Sequence, residues 1–496
     1  MDSGASYDIF VIGGGINGAA IARDAAGRGL RTGLAERGDF GGATSSASTK
    51  LLHGGLRYLE FGAFGLVRKA LSERAILFDA APPLAHPLSF VIPRMRDARP
   101  DWLIRLALFL YDHLGDRGGM PKSETVRLRQ DRAGRGLEPG IFKGWRYSDG
   151  WIDDARMVIA LLRDAALRGA DLYPRTAVVS AAHDGNAWTI ALAGGRTVTA
   201  RHLVNATGPW AEETARDTMQ LPDAPQLRLV QGSHIIVARP TSAEDALVVQ
   251  QPDKRIVFLV PIDEGHLMIG TTERLLDQPP ATASPASDEI IYLLMAANRV
   301  LAKPLGVNDI VHTTAGTRPL IAQKGRNARE TTRDWRLAEH AGGAAITVIG
   351  GKITTHRLLA EAVLQRVEPR TKPWTHDARL PGCDFEPREG ERNRDAFTRW
   401  LEALPRRFPD YDPAIVRRFG LRFGRDAEAM LNAGIGREIG GMFEAELRHF
   451  VLNEWATTAD DILWRRTKAG LAVTDADKGE IDRWISRFTA SAAGRG

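Results

Sequence analysis

Residues 44–60 bring hydroxyl, amine, imidazole and guanidinium groups together in one short segment. The hydroxyl groups come first, at Thr44, Ser45 and Ser48, and the basic side chains of Lys50, His53 and Arg57 follow. Hydroxyls and cations bind anionic ligands, and imidazole accepts a proton near neutral pH. Two glycines after His53 allow the backbone to approach a ligand closely. The segment therefore predicts polar and cationic side chains directed at a bound ligand.

The elements that must position this segment lie just before it. Residues 7–12 predict a buried strand, and Gly13, Gly15 and Gly18 follow with the spacing G-x-G-x-x-G. These glycines permit a tight turn, close approach of a pyrophosphate and close contact between helix and strand. A helix over 19–29 would point its N–H groups at the phosphates, and a strand over 31–35 ends at Glu36, which is placed to bind a ribose. This unit predicts dinucleotide binding.

Two later turns are predicted to return to the same dinucleotide. A strand over 201–206 ends in Thr207-Gly208, and a strand over 344–349 runs into Gly350-Gly351-Lys352-Ile353-Thr354 and a helix to about residue 367. The expected cofactor contacts are therefore Thr207, Gly208, Gly351, Lys352 and Thr354. Between these turns, alternating β-branched residues over 226–275 predict an antiparallel sheet.

Other segments predict helices. One runs over 65–80 with Glu73 and Arg74 exposed, and one follows Asp153 as its N-cap. The proline-containing stretch 369–388 is typical of a linker, and 389–496 is helical by pattern.

Composition limits the class of protein. The chain has 496 residues, 44% hydrophobic and 26% charged, as soluble globular proteins do. Cys383 is the only cysteine, which excludes an intramolecular disulfide or a thiolate metal site, and no metal site is predicted. The first strand begins almost at the N-terminus, so we expect no signal peptide. No apolar run has the length needed to span a bilayer.

The basic excess is concentrated in one region. Residues 94–146 contain 12 Lys and Arg against 7 Asp and Glu, a local charge of +5 that equals the net charge of the whole chain. An apolar run over 102–111 lies inside this region. It predicts either a helix that sits in an anionic membrane surface or an ordinary buried helix. No nucleic-acid-binding module is recognisable, so nucleic acid is not an expected partner.

Five motifs carry a resemblance to a known family. They are Gly-Gly-Gly-Ile-Asn-Gly at 13–18, the segment 43–60, Val-Asn-Ala-Thr-Gly-Pro-Trp at 204–210, Gly-Gly-Lys-Ile-Thr-Thr at 350–355 and Leu-Trp-Arg-Arg-Thr-Lys at 463–468. The chain closely resembles FAD-dependent glycerol-3-phosphate dehydrogenases over nearly its whole length. The resemblance implies a D-amino-acid-oxidase-like α/β (α+β) flavoprotein fold, a Rossmann-like FAD-binding domain interleaved with an antiparallel-sheet substrate domain, plus a helical C-terminal cap.

The implied domain limits follow these motifs. The oxidoreductase domain would cover 1–368, with FAD-binding parts at about 1–80, 150–215 and 340–368 and substrate parts at about 81–149 and 216–339. The linker 369–388 and the helical domain 389–496 would complete the chain.

The implied reaction is the oxidation of sn-glycerol 3-phosphate to dihydroxyacetone phosphate, with electrons passed to quinone. It requires a base and several cations for the phosphate. The base is predicted to be His53, with His234 as its rival and Lys352 also left open. The candidate phosphate ligands are Arg57, Arg318 and Arg333, and Lys352 would hold the phosphate or the substrate oxygen.

Other functions share parts of this pattern. An oxygen-dependent glycerol-phosphate oxidase would have the same site, an NAD-dependent dehydrogenase would share the first turn, and a non-catalytic flavin-binding membrane scaffold would share the cofactor residues. The resemblance also implies a cytoplasmic enzyme on the inner face of the cell membrane, and it leaves a homodimer open.

Overall fold

The structure, a computed structural model, describes residues 4–238, 244–321 and 334–493, without the side chains of Arg57, Phe61, Ala492 and Ala493. The strands are β1 (Ser6–Ile12), β2 (Thr32–Ala35), β3 (Leu51–Leu52), β4 (Ala85–Pro93), β5 (Glu124–Arg127), β6 (Lys143–Ile152), β7 (Asp171–Tyr173), β8 (Val178–His183), β9 (Trp188–Leu192), β10 (Thr197–Asn205), β11 (Leu227–Ala238), β12 (Ala246–Gln250), β13 (Ile256–Pro261), β14 (His266–Gly270), β15 (Arg274–Leu276), β16 (Ile310–Ile321), β17 (Arg336–His340), β18 (Ala345–Ile349), β19 (Glu438–Ile439) and β20 (Met442–Phe443). The helices are α1 (Ile16–Gly27), α2 (Phe64–Ala80), α3 (Asp101–His113), α4 (Asp154–Leu167), α5 (Ala211–Glu213), α6 (Ser287–Asn298), α7 (His356–Val367), α8 (Asn393–Arg407), α9 (Pro413–Phe423), α10 (Asp426–Ala433), α11 (Glu444–Glu454) and α12 (Asp475–Ala493).

The first sheet carries the predicted dinucleotide unit. Its order is β17-β18-β10-β1-β2-β7, with β9 and β8 added beside β10, and the strands from β18 to β7 are parallel. Alternate residues of β1 belong to different hydrophobic clusters. Ile9 and Val11 pack on the face covered by α1, α4 and α7, and Phe10 packs on the face covered by the β8–β9 hairpin. Burial on both faces explains the continuous apolar run in this strand.

The second sheet is larger and mostly antiparallel. Its order is β15-β11-β14-β13-β12-β4-β6-β3, with β16 beside β11 and β5 beside β6. Strands β4 and β12 form a parallel pair, which the alternating pattern did not predict. Ile235 packs on the face that α6 covers and Ile236 on the face that α2 and α3 cover. The mixed α/β fold class predicted from the sequence is confirmed, whereas the exact domain limits stay predictions.

The C-terminal helices share a core with the first sheet. Trp400, Phe419 and Leu447 belong to the same buried cluster as Ile9 of β1 and Val158 of α4. The predicted linker has no helix or strand but packs firmly, since Leu380, Cys383 and Phe385 are at most 4% exposed.

One expectation for helix α2 was wrong. Glu73 and Arg74 are buried rather than exposed. Glu73 accepts a hydrogen bond of 2.8 Å from Arg357 Nε of α7, and Arg74 Nη1 donates one of 2.6 Å to Asp149 of β6. Charges that look solvated in the sequence are buried here because each has an oppositely charged partner on another element.

Helix α3 corresponds to the apolar run and combines features of both interpretations, since one side is buried and the other is exposed and apolar. Its buried side chains are Ile104, Leu108 and Tyr111, while Trp102, Leu106 and Phe109 are exposed. Among the described residues, no helix is both long enough and apolar enough to cross a membrane.

Candidate active site

A cavity of 780 Å³ lies where the first sheet meets the second. Most of its wall comes from five segments, at residues 12–17, 35–58, 206–218, 316–320 and 350–354, and Arg175, Ala177, Val178, Ala281 and Arg465 complete it. All predicted cofactor residues except Gly18 are part of its wall: Gly13, Gly15, Glu36, Thr44, Ser45, Ser48, Thr207, Gly208, Gly351, Lys352 and Thr354. His53 and Arg318 line the same cavity. The fold therefore assembles one site from segments that are far apart in the chain.

The glycines of the first turn have separate steric reasons. Gly13 has a φ of +107°, and a Cβ there would lie 2.7 Å from the carbonyl oxygen of Ala206. A Cβ on Gly18 would lie 1.9 Å from the oxygen of Gly13, so this glycine permits the turn without facing the cavity. Gly15 faces the cavity, with Ser45 Oγ as its nearest neighbour. The start of α1 thereby lies at the cavity wall, where a helix N-terminus favours an anion.

Glu36 joins the ends of β1 and β2. Its Oε2 accepts a hydrogen bond of 2.7 Å from the N–H of Gly14, and its Oε1 accepts one of 2.8 Å from the N–H of Gly38. Each carboxylate oxygen retains further acceptor capacity. Glu36 can therefore accept hydrogen bonds from ribose hydroxyls while it holds the glycine turn.

The hydroxyl-rich start of the 44–60 segment is tied to three neighbours. Ser45 Oγ accepts a hydrogen bond of 2.9 Å from the N–H of Ile16, at the start of α1. Thr44 Oγ1 donates to the carbonyl of Thr317 at 2.7 Å, and Ser48 Oγ donates to Asp154 at 2.7 Å. These contacts hold the segment against both the cofactor turn and the second sheet.

Two cations reach the cavity from late in the chain. Lys352 Nζ lies 4.0 Å from the ring centroid of Tyr58, a cation–π contact. Arg318 lies against β11: a Cβ on Gly232 would be 2.8 Å from Arg318 Nη2. The absence of a side chain at Gly232 thus lets the guanidinium lie close to the strand.

The two candidate histidines have different environments in the structure. His53 lines the cavity, whereas His234 is fully buried in β11, and its Nε2 lies 2.9 Å from Thr49 Oγ1. Burial, together with the charges of Arg318 and Lys50, lowers the pKa of His234 to about 3. The enclosed imidazole of His234 contacts Thr49 and is not part of the cavity wall, so His53 is the histidine placed to meet a bound substrate, and its role as the base stays a prediction.

Two predicted arginines are not fully described. Arg57 lies in the helical turn Leu56–Phe61, and its side chain is outside the description. Arg333 lies outside the described residues. Their roles as phosphate ligands stay predictions.

The C-terminal part of the chain forms part of the cavity wall, which the sequence did not predict. Arg465 lines the cavity and pairs with Asp39. Arg466, which has no exposed surface, donates to Asp39 Oδ1 at 2.9 Å. The motif at 463–468 carries part of the family resemblance, but its residue types and spacing do not indicate an ion pair with Asp39.

Two further residues were missed. Asn17 Nδ2 donates to the carbonyl of Gly350 at 3.0 Å and so links the first glycine turn to the last. Tyr58 carries the ring beneath Lys352. Asn17 lies inside the glycine motif and Tyr58 inside the 44–60 segment, and those positions were the signals available in the sequence.

These residues fit FAD. The cavity combines a glycine turn at a helix N-terminus for a pyrophosphate, a carboxylate for a ribose, and a second glycine turn at 350–351. The sequence matches the DAO family, described as FAD-dependent oxidoreductases, over residues 8–357.

The chain belongs to the FAD-dependent oxidoreductase family. Membership confirms the predicted FAD cofactor and flavoprotein fold, and it removes the NAD-dependent alternative.

Similar proteins cover almost the full length of the chain. D-erythritol 1-phosphate dehydrogenase of Brucella abortus (strain 2308) is 42% identical over 495 residues, which are 96% of this chain and 97% of that protein. Aerobic glycerol-3-phosphate dehydrogenase of Escherichia coli (strain K12) is 40% identical over 500 residues, 97% of this chain and 98% of that protein. The structure of glycerol-3-phosphate dehydrogenase from Bacillus halodurans complexed with FAD has a TM-score of 0.77 at 27% identity, covering 98% of this chain and 91% of that one. The predicted resemblance is thereby confirmed, and the similarity extends into the C-terminal helices.

Proposed function

We propose that this protein oxidises the C2 hydroxyl of sn-glycerol 3-phosphate to give dihydroxyacetone phosphate, with FAD as the cofactor. The observation that carries the proposal is the convergence of His53, Arg318 and Lys352 on the cavity that also holds the dinucleotide-binding residues. A polyol phosphate needs both a base and cations, and these residue types supply them. The names of the E. coli and B. halodurans relatives support the same substrate.

Each residue has a distinct part in the proposed reaction. Bound FAD supplies the two-electron acceptor for the hydride that leaves C2. The His53 imidazole accepts the hydroxyl proton, so that the C–O bond becomes a carbonyl. Arg318 binds the phosphate dianion through its planar guanidinium, and Arg57 and Arg333 are proposed to assist. Lys352 contributes a positive charge next to the substrate oxygen or the phosphate.

D-Erythritol 1-phosphate is a second candidate substrate. The relative from B. abortus that bears this name is 42% identical and covers nearly the same length. The two compounds share a secondary alcohol and a terminal phosphate, so the same base and cations would serve both. The ratio of kcat/KM for the two substrates decides which one the site prefers.

The proposed function predicts that glycerol 3-phosphate reduces the bound flavin. Under anaerobic conditions, the holoenzyme should lose the visible absorbance of its oxidised flavin when glycerol 3-phosphate is added, because hydride transfer needs no further acceptor. Glycerol, which lacks the phosphate, is the matched control and should bleach the flavin far more slowly. A flavin that stays oxidised with both polyol phosphates would contradict the proposed reaction and support the scaffold alternative.

We propose membrane quinone as the electron acceptor, rather than oxygen. The exposed apolar side of α3, formed by Trp102, Leu106 and Phe109, supports this choice because it suits contact with lipid. Stoichiometric formation of hydrogen peroxide during rapid flavin reoxidation in air would contradict it.

The proposed membrane surface has both apolar and basic parts. Trp102, Leu106 and Phe109 are 66%, 47% and 58% exposed on one side of α3, and Arg96 and Arg105 are exposed beside them. An anionic bilayer fits this combination because headgroups attract the arginines while the rings enter the interface. We therefore propose a peripheral enzyme at the inner face of the cell membrane.

Replacing Leu106 by Glu should weaken binding to vesicles of phosphatidylcholine and phosphatidylglycerol at least about tenfold, because the change removes apolar burial and adds repulsion from anionic lipid. Co-sedimentation of the holoenzyme measures this. The control is Leu452→Glu on α11, since Leu452 is also exposed, at 63%. Equal vesicle binding by the two variants would exclude α3 as the docking surface.

A further inference from the structure

A buried polar network connects helix α3 to the residue that follows His53. Tyr111 of α3 donates a hydrogen bond of 2.7 Å to Asp149 of β6 and accepts one of 2.7 Å from the N–H of Gly54. Arg74 of α2 donates to the other oxygen of Asp149 at 2.6 Å. Tyr111, Asp149 and Arg74 are each at most 3% exposed. Helices α2 and α3 and strand β6 therefore meet in one buried network. The Gly54 N–H connects this network to the segment that carries His53.

Such a network costs desolvation free energy. Buried ion pairs add little net stability compared with apolar residues of similar volume. Their geometric effect is larger, because hydrogen bonds in a low-dielectric interior are directional and strong. The physical argument therefore points to placement of the backbone rather than to stability.

The contact to Gly54 is close and specific. A Cβ on Gly54 would lie 2.8 Å from the Tyr111 hydroxyl oxygen and 2.8 Å from Leu71 Cδ2. The preceding residues are fixed as well, since Leu51 and Leu52 pair with Trp151 and Gly150 of β6. His53 thus lies between a short strand pairing on one side and the Tyr111 hydrogen bond on the other.

The partners define the direction of these hydrogen bonds, because the Gly54 N–H can only donate. Burial raises the pKa of Tyr111 well above its ordinary value, so the hydroxyl keeps its proton. The single hydroxyl hydrogen is donated to Asp149, and the oxygen accepts the Gly54 N–H.

We propose that Tyr111 is a positioning residue that holds the His53–Gly54 backbone, and with it the His53 imidazole, in the orientation needed for proton transfer. The inference rests on the proposed function for the role of His53. Helix α3 would then have two roles. Its exposed side carries Trp102, Leu106 and Phe109, and its buried Tyr111 holds the backbone next to His53.

The test compares Tyr111→Phe with Tyr147→Phe in the FAD-loaded enzyme. Tyr147 is a matched control because it is also buried and packs edge-to-face against Tyr111, with ring centroids 5.9 Å apart. Tyr111→Phe should lower kcat for glycerol 3-phosphate about tenfold, with KM and flavin content nearly unchanged, since a misplaced base slows the chemical step more than it weakens binding. Tyr147→Phe should stay within about twofold of the unaltered enzyme.

A double-mutant cycle with His53→Gln separates positioning from general damage. Once the base is absent, Tyr111→Phe should cause no further loss, because its effect acts through His53. An equal loss in both backgrounds, or no loss in either, would overturn the proposal. If Tyr111→Phe does not accumulate as holoenzyme, Asp149→Asn replaces the carboxylate that accepts from the same hydroxyl by a neutral amide with little change of shape, and the same cycle applies.

Hydrogen–deuterium exchange gives a readout that does not depend on the substrate. Residues 51–56 should exchange faster in Tyr111→Phe than in Tyr147→Phe, because the Gly54 amide loses the Tyr111 hydroxyl that accepts its hydrogen bond. Unchanged exchange there would overturn the positioning role even in an active enzyme. A failure of glycerol 3-phosphate to bleach the flavin would instead count against the proposed function.

Discussion

Replacing His53 by Gln is expected to lower kcat for glycerol 3-phosphate by about 10²–10⁴-fold, the usual contribution of a positioned general base. Glutamine has a similar size but cannot accept the hydroxyl proton. Flavin content should be retained, because the predicted cofactor contacts lie on other residues of the cavity. Stopped-flow reduction of the flavin under anaerobic conditions measures the effect at saturating substrate.

The pH dependence distinguishes His53 from His234. A neutral base is active above its pKa and is lost as the pH falls, so kcat should show an acid limb that disappears in His53→Gln. His234, whose pKa burial lowers to about 3, stays neutral through that range and cannot produce the limb. The pH dependence is measured on kcat, because the phosphate group of the substrate titrates at about pH 6 and its titration would change KM.

His234→Asn is the matched control for this experiment. It should keep the acid limb of kcat, whatever its effect on stability. If the limb vanished in His234→Asn and persisted in His53→Gln, the assignment of the base would have to be exchanged.

Replacing Arg318 by Met is expected to lower kcat/KM for glycerol 3-phosphate by about 10²–10⁴-fold, since two charge-assisted hydrogen bonds contribute roughly 1.5–3 kcal/mol each. Methionine keeps an unbranched side chain beside Gly232, so packing should change little. The loss should appear mainly in KM, because the phosphate is bound in both the ground state and the transition state. Steady-state kinetics with a soluble quinone analogue measures it.

Arg201→Met controls for the removal of an arginine. Arg201 lies on β10 and forms a surface pair with Asp8 at 2.8 Å, and it is not part of the cavity wall. Its loss should leave kcat/KM nearly unchanged. Glycerol provides the second comparison, because Arg318→Met should not alter its already weak oxidation. Equal losses for glycerol and its phosphate would rule out a phosphate-binding role.

Local patterns were sufficient for most of the elements. The apolar strand 7–12, the glycine turn after it and the Asp153 N-cap all appear in the structure, because each depends on interactions within a few residues. The parallel pairing of β4 with β12 and the burial of Glu73 and Arg74 were not predictable in this way. Both depend on partners that come from other parts of the chain.

The candidate site shows the same division. Residue types identified His53, Arg318 and Lys352 as candidates, and the 780 Å³ cavity brings them together. The proposal of His53 rather than His234 as the base rests on the burial of His234, which no spacing reveals for two single histidines. The contribution of Asp39 with Arg465 and Arg466 required knowledge of how the C-terminal helices pack on the first sheet.

The sequence by itself determined the cofactor class, because a glycine turn and a strand-end carboxylate act through short-range geometry. It also predicted the chemistry of residues 44–60 from their hydroxyl and basic side chains. Tertiary structure alone decided which of those groups share one cavity and what fixes them in place. Tyr111 illustrates the reason: in the sequence it is one aromatic residue at the end of an apolar run. Only the packing of α3 against β6 brings its hydroxyl to the Gly54 amide and so next to His53.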